Sequence, residues 1–150
     1  MNKIKLNFLL VLSFVVSAAI PNPPDLGVGS YVLYEPNTKK VLVSFNADEP
    51  VQPASLTKLM TSYVVADYIK EDFIRLDDTP KISIKAWKTE GSRMFIREGT
   101  KVAVSDLIKG MIIQSGNDAS VALAEHVAGS EENFAYLMNE YASQLGMQNS

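Results

Sequence analysis

Ser55 and Lys58 stand three positions apart in Pro53-Ala54-Ser55-Leu56-Thr57-Lys58, where a helical apolar pattern begins. Residues at i and i+3 of a helix share a face, so a hydroxyl and an amine so placed can meet. A serine hydroxyl becomes a nucleophile when a base takes its proton, and a neighbouring amine can be that base. Lysine plays this part at neutral pH only where burial or a nearby cation disfavours its charged form, and the apolar residues Leu56, Leu59 and Met60 lead us to expect partial burial of Lys58. The first turn of a helix also presents free backbone N–H groups that can stabilise an oxyanion. The chemistry these features suit is acyl transfer through a serine ester.

Alone, the pair is weak. With 14 serines and 11 lysines in 150 residues, about one S-x-x-K arises by chance, and an N-cap serine beside a solvated lysine is the common case. The second element is Ser115-Gly116-Asn117, in which glycine allows a sharp turn flanked by a hydroxyl and a carboxamide. Such a turn can present both groups to one pocket, the hydroxyl passing a proton between Lys58 and a leaving amine, the Asn117 carboxamide donating to a substrate carbonyl. An ordinary interhelical turn would use the same residues to bond backbone groups. Ser44-Phe45-Asn46 also fits S-x-N, but it falls at the end of an expected strand.

The elements that must position these groups are legible in outline. Alternating and β-branched residues over 30–34 and 41–45, separated by Glu35-Pro36-Asn37-Thr38, predict an antiparallel hairpin. Leu56, Leu59, Met60, Tyr63 and Val64 recur at helical spacing, which predicts a buried helix from about Ser55. Segments 81–86 and 93–96 read as short strands or extended loops. A helix capped by Ser105 is expected to run to about Gln114 with Leu107, Ile108, Met111 and Ile112 as its apolar stripe. After the Ser-Gly-Asn interruption, helices are expected over 118–128, stopped by Gly129, and over 131–145, stopped by Gly146. Asp118 is expected to cap the first of these, and Tyr63, Tyr68, Phe134 and Tyr141 to be core.

The blocks Pro53-Ala54-Ser55-Leu56-Thr57-Lys58-Leu59-Met60-Thr61 and Gln114-Ser115-Gly116-Asn117-Asp118-Ala119 occur in this order, and with them the chain resembles the low-molecular-mass penicillin-binding proteins, the serine D-alanyl-D-alanine carboxypeptidases. The likeness runs from about Leu26 to Ser150 and includes Gly91-Ser92-Arg93-Met94-Phe95. It implies a β-lactamase/transpeptidase-like mixed α/β (α+β) fold, an antiparallel sheet flanked by helices with a helical subdomain. It further implies Ser55 as acylated nucleophile, Lys58 as proton acceptor, Ser115 as proton relay and Asn117 as the group that orients substrate. The implied substrate is a peptidoglycan stem peptide ending in D-Ala-D-Ala, with β-lactams as inhibitors acylating the same serine, and neither metal nor organic cofactor is implied. The family's third signature, K-T-G, is absent: Lys-Thr occurs only as Lys88-Thr89, followed by Glu90. We therefore expect residues 20–150 to be the N-terminal part of the catalytic domain, C-terminally incomplete before the K-T-G strand and inactive by itself, with the family's C-terminal β-rich domain and membrane anchor outside it.

Residues 1–19 read as a secretory signal peptide: Lys3 and Lys5 precede an apolar stretch from Phe8 to Ile20 that ends in small residues, with Pro21, Pro23 and Pro24 beyond. The remainder is then exported, to the periplasm or the outer face of the cytoplasmic membrane. A net charge of -3 gives no basic field for nucleic acid, and the lack of cysteine excludes disulfides, thiol nucleophiles and thiolate metal sites. His126, the single histidine, lies within an expected helix, which argues against a histidine triad. Arg93 and Arg97 can face an anionic substrate, although solvation is the usual state of such charges. Two other functions stand beside the carboxypeptidase. A class A-like β-lactamase would need a deacylating glutamate, yet Glu131, Glu132 and Glu140 read as helix-surface charges, and a non-catalytic wall-binding protein of the same fold would leave Ser55 unreactive.

Overall fold

A computed structural model describes residues 24–150, so the expected signal peptide, 1–19, lies outside the described residues. The chain divides into two compact units, Met1–Val51 and Gln52–Ser150.

Within the described part of the first unit, strands β1 (Tyr31–Glu35) and β2 (Lys40–Phe45) form the expected antiparallel hairpin, pairing Tyr31 with Phe45 and Leu33 with Val43. The Tyr31 and Phe45 rings stack at 5.9 Å, a cross-strand aromatic contact that helps fix the register. The turn is organised by Glu35, whose carboxylate accepts the backbone N–H groups of Asn37 and Thr38 and the Thr38 hydroxyl. These bonds, that from the Thr38 side chain foremost, hold its pKa down at about 2.

The second unit carries helices α1 (Thr57–Lys70), α2 (Ile84–Lys88), α3 (Val104–Ile113), α4 (Asn117–Ala128) and α5 (Glu131–Gln144). The hub is α4, which packs against each of the other four helices. Its Ala119, Val121, Ala122, Leu123 and Ala124 are buried together with Val64 and Val65 of α1, Leu107 and Met111 of α3 and Phe134 of α5. Gly129 closes α4 at φ +78°, the left-handed geometry a helix stop needs, and the Ser130 hydroxyl caps α5 by accepting the Asn133 N–H. With the hairpin, these helices give the mixed helix-and-sheet composition expected.

Several expectations are corrected. The short helix α2 takes up the second half of segment 81–86, expected as a short strand or extended loop, because Ser83 accepts the Ala86 N–H and so caps a helix; Lys81 retains a bridge to Lys101. Helix α3 begins one residue before Ser105, at Val104, after an Ala103 cap position that makes no side-chain bond. The buried face of α1 is Thr61, Val64 and Val65. Leu56, Leu59 and Tyr63 of the predicted stripe are instead 66%, 70% and 49% exposed, and Ile112 of the α3 stripe is 64% exposed. Of the aromatic residues assigned to the core, Phe134 is buried, whereas Tyr68 and Tyr141 are half-buried and packed against it. Tyr141 packs edge-on to Tyr63 and donates from its hydroxyl to Asp67, which ties α5 to α1. Asp118 is not at the cap position of α4, which Gly116 occupies; it lies inside the helix and is fully buried.

Candidate active site

Ser55 lies in a 3-10 turn, Ala54–Leu56, that leads directly into α1, so Lys58 falls in that helix's first turn. Ala54 has φ +47° and Ser115 φ +52°. Left-handed backbone at non-glycine residues costs on the order of 1–3 kcal/mol each and gathers where function demands it. Here it brackets both motifs.

The structure brings all four predicted site residues together. Lys58 Nζ lies 3.3 Å from Ser55 Oγ, and Ser115 Oγ donates to the same Ser55 Oγ at 3.0 Å. The Ser55 hydroxyl is thus flanked by an amine and a second hydroxyl at hydrogen-bonding distance, the geometry for handing its proton on. Lys58 Nζ also donates to Asn117 Oδ1 at 2.7 Å. Lys58 is half-buried, as expected, but not by Leu56 and Leu59, which face outward; its enclosure includes the Asn117 carboxamide.

Asn117 is itself fixed from behind. Its Nδ2 donates to the Glu90 carbonyl at 2.8 Å and its backbone N–H to the Ser92 carbonyl at 2.7 Å. Both acceptors belong to the segment 90–96, which therefore forms one wall of the site. Gly91 lets that wall come close: a Cβ there would lie 2.6 Å from Asn117 Nδ2, and its φ of +89° disfavours any side chain. Gly116 is also tight, since a Cβ would meet Asp118 Oδ1 at 3.0 Å and the Gly110 carbonyl at 3.1 Å. The Asn117 carboxamide, read from the sequence as a donor to substrate, is thus engaged at both ends, and one of its two N–H bonds remains to donate.

A model of the D-alanyl-D-alanine carboxypeptidase family matches residues 17–150. The chain belongs to that family. It is 48% identical over 133 residues to the D-alanyl-D-alanine carboxypeptidase DacC of Escherichia coli, a match covering 85% of this chain and 33% of that protein. Among solved structures it resembles penicillin binding protein 5 from Haemophilus influenzae, with a TM-score of 0.81 at 43% identity, covering 87% of this chain and 39% of the other. The D-alanyl-D-alanine carboxypeptidase DacD from Francisella tularensis gives the same TM-score, 0.81, at 40% identity over 87% of this chain and 32% of the other. In each case the chain spans well under half the length of its relative. These neighbours bear out the expected fold class.

The other candidates do not join the cluster around Ser55, although Arg93 lies within the 90–96 wall. His126 Nε2 bonds Asp78 Oδ2 at 3.2 Å, linking α4 to the loop between α1 and α2. The Arg93 guanidinium sits 5.1 Å from the centre of the Phe95 ring, a cation–π contact, and Arg97 is exposed. Glu131 and Glu132 share Lys85 at the surface, and Glu140 is exposed, as expected of helix-surface charges. Sequence reasoning missed Glu90 and Ser92, which act through backbone carbonyls and so carry no side-chain signal. Asp118, expected as a helix cap, instead accepts from the amides of Met94 and Ile96 as well as Ala119.

Proposed function

We propose that the full-length protein is an exported serine D-alanyl-D-alanine carboxypeptidase, with residues 1–19 as its export signal and 20–150 as part of its catalytic domain. Ser55 Oγ attacks the carbonyl of the penultimate D-alanine of a peptidoglycan stem peptide while its proton passes to Lys58. The peptide bond breaks, the proton reaches the leaving D-alanine amine through Ser115, and water then hydrolyses the Ser55 ester. The remaining Asn117 N–H donates to a substrate carbonyl and orients it. β-Lactams acylate the same hydroxyl and block it.

One observation carries this reading: Ser55 Oγ has both Lys58 Nζ, at 3.3 Å, and Ser115 Oγ, at 3.0 Å, within reach. The names of the relatives support the substrate class. No geometry here favours a class A-like β-lactamase, since the candidate glutamates are engaged or exposed at the helix surface. The test is incubation of the full-length protein with a labelled penicillin, followed by mass mapping. An adduct on the peptide containing Ser55, lost in Ser55→Ala together with release of D-alanine from a D-Ala-D-Ala peptide, is the expected result. A Ser55 that stays unmodified, with the protein still retained on peptidoglycan, would make the chain a wall-binding protein instead.

A further inference from the structure

Asp118 is a fully buried carboxylate, and nothing in the proposed chemistry uses it. A buried charge is tolerated only when hydrogen bonds replace its lost hydration. Its partners here are backbone N–H groups: Oδ1 accepts from Met94 at 3.0 Å and from Ala119 at 2.9 Å, and Oδ2 accepts from Ile96 at 3.2 Å. Only Ala119 belongs to its own helix; the other two lie in the 90–96 wall. Between Met94 and Ile96 stands Phe95, at φ +65° and 75% exposed. Backbone N–H groups on either side of a left-handed residue converge into an anion-binding concavity, and Asp118 fills this one from within the chain. A bulky residue has no intrinsic reason to take that conformation, so the carboxylate is the partner that holds it.

The consequence reaches the site. The segment that Asp118 grips at 94 and 96 supplies the two carbonyls, Glu90 and Ser92, that fix Asn117, and Asn117 Oδ1 holds the Lys58 amine. Gly110 makes the same wall sit close from the other side: a Cβ there would fall 2.1 Å from Met94 Sδ.

We infer that Asp118 is a positioning residue: by clasping the left-handed turn at Phe95 it fixes the 90–96 segment, and through Glu90 and Ser92 it sets the Asn117 carboxamide that carries Lys58. The inference takes from the functional reading only the importance of Lys58, and its geometric core can be tested without any reaction. Replacing one carboxylate oxygen with an NH2 turns one of its contacts with the wall into donor facing donor.

The test compares the full-length protein with its Asp118→Asn variant in two measurements. In the first, hydrogen exchange is followed at the Met94 and Ile96 amides, together with the NMR signals of the Asn117 side-chain amide. The unsubstituted protein is expected to protect both backbone amides like helix-core amides. The variant should exchange them at least tenfold faster and shift the Asn117 signals, while the amides of Leu107 and Met111 keep their protection. In the second, the rate of Ser55 acylation by a labelled penicillin at saturation should fall at least tenfold in the variant, with the half-saturating concentration changing less than about threefold, as expected when orientation rather than binding is lost. Unprotected Met94 and Ile96 amides in the unsubstituted protein overturn the inference, and this measurement decides even if the variant does not fold. Unchanged acylation beside loosened amides overturns it too, since Asp118 would then hold the wall without affecting Lys58. An unsubstituted protein that takes no penicillin defeats the functional reading instead; loosened amides and a displaced Asn117 signal then still uphold the positioning role.

Discussion

Replacing Gly91 with alanine should disable the site while leaving the helical unit folded. The added Cβ would stand 2.6 Å from Asn117 Nδ2. Ordinary contact begins near 3.4 Å. Either the carboxamide or the 90–96 wall must therefore retreat by about 0.8 Å, and a misplacement of about 1 Å at a reacting centre can lower a rate about a hundredfold. The carboxamide has nowhere to go without loss, because one end bonds the Glu90 carbonyl and the other the Lys58 amine. Backbone strain adds to this: at a φ of +89° a Cβ brings a cost of about 1–2 kcal/mol, which lowers Tm by several degrees in a domain of this size. Gly91 is exposed and a Cβ there would meet only the Asn117 side chain, so the melting transition should stay cooperative. The assay pairs stopped-flow acylation by a fluorescent penicillin with thermal unfolding by circular dichroism, both on the full-length protein. We expect acylation to fall between tenfold and a hundredfold. Acylation at the unsubstituted rate would refute the reasoning, because it would mean that the wall does not set the position of Asn117.

Three further outcomes are expected. Glu35 should titrate near pH 2 by carbon NMR; since its folded pKa lies below its unfolded value, its contribution to the hairpin is present above about pH 4 and is lost as pH falls through about 2, and a midpoint near 4 would refute the turn geometry. Tyr141, whose hydroxyl donates to Asp67, should ionise near pH 12, so its contribution persists below about pH 10 and disappears as pH rises through 12; Asp67→Asn should bring the absorbance midpoint back toward 10. Ser83→Ala removes the cap of α2 and the partner of Glu125 at 2.9 Å, and should destabilise the protein by about 1 kcal/mol in urea unfolding, with acylation kinetics unchanged because neither residue reaches the site.

Features encoded over a few neighbouring residues were legible in the sequence. The hairpin follows from β-branched alternation around a Pro-Asn-Thr turn, and the ends of α4 and α5 from Gly129 and Gly146. The proximity of the four candidate site residues was legible too, because they stand in two short motifs at fixed spacing. What escaped was decided by partners remote in sequence. Asp118 carries the local signature of a helix cap, yet two of its three bonds go to amides 22 and 24 residues away. The apolar pattern of α1 marks a stripe through Leu56, Leu59, Met60, Tyr63 and Val64; Val64 is buried and Met60 packs on the core, but Leu56, Leu59 and Tyr63 stay exposed, and Thr61 and Val65 are buried beside Val64 instead. Periodicity reports that a helix has an apolar side; it does not report which part of that side its neighbours cover.

The distribution of strain explains why the site can be precise. Three of the six non-glycine residues at positive φ in the described chain lie at the site: Ala54 adjoins Ser55, Ser115 opens the Ser-Gly-Asn turn and Phe95 lies in the wall behind Asn117. At roughly 1–3 kcal/mol each, three such residues are a large share of a typical folding stability of about 5–15 kcal/mol. They persist because each adjoins a firmly held element. Ser115 joins α3 to α4, whose Met111 and Ala119 are buried, and Ala54 leads into α1, which is anchored through Val64 and Val65. Phe95 has no packed helix of its own, so a buried carboxylate from α4 does the same work through hydrogen bonds. Strain held from the core cannot relax by local rearrangement, and it therefore fixes Ser55, Lys58, Ser115 and Asn117 relative to one another before any substrate arrives. That preorganisation is what the acyl transfer proposed above would require, since the Ser55 hydroxyl already lies within reach of the amine proposed to take its proton.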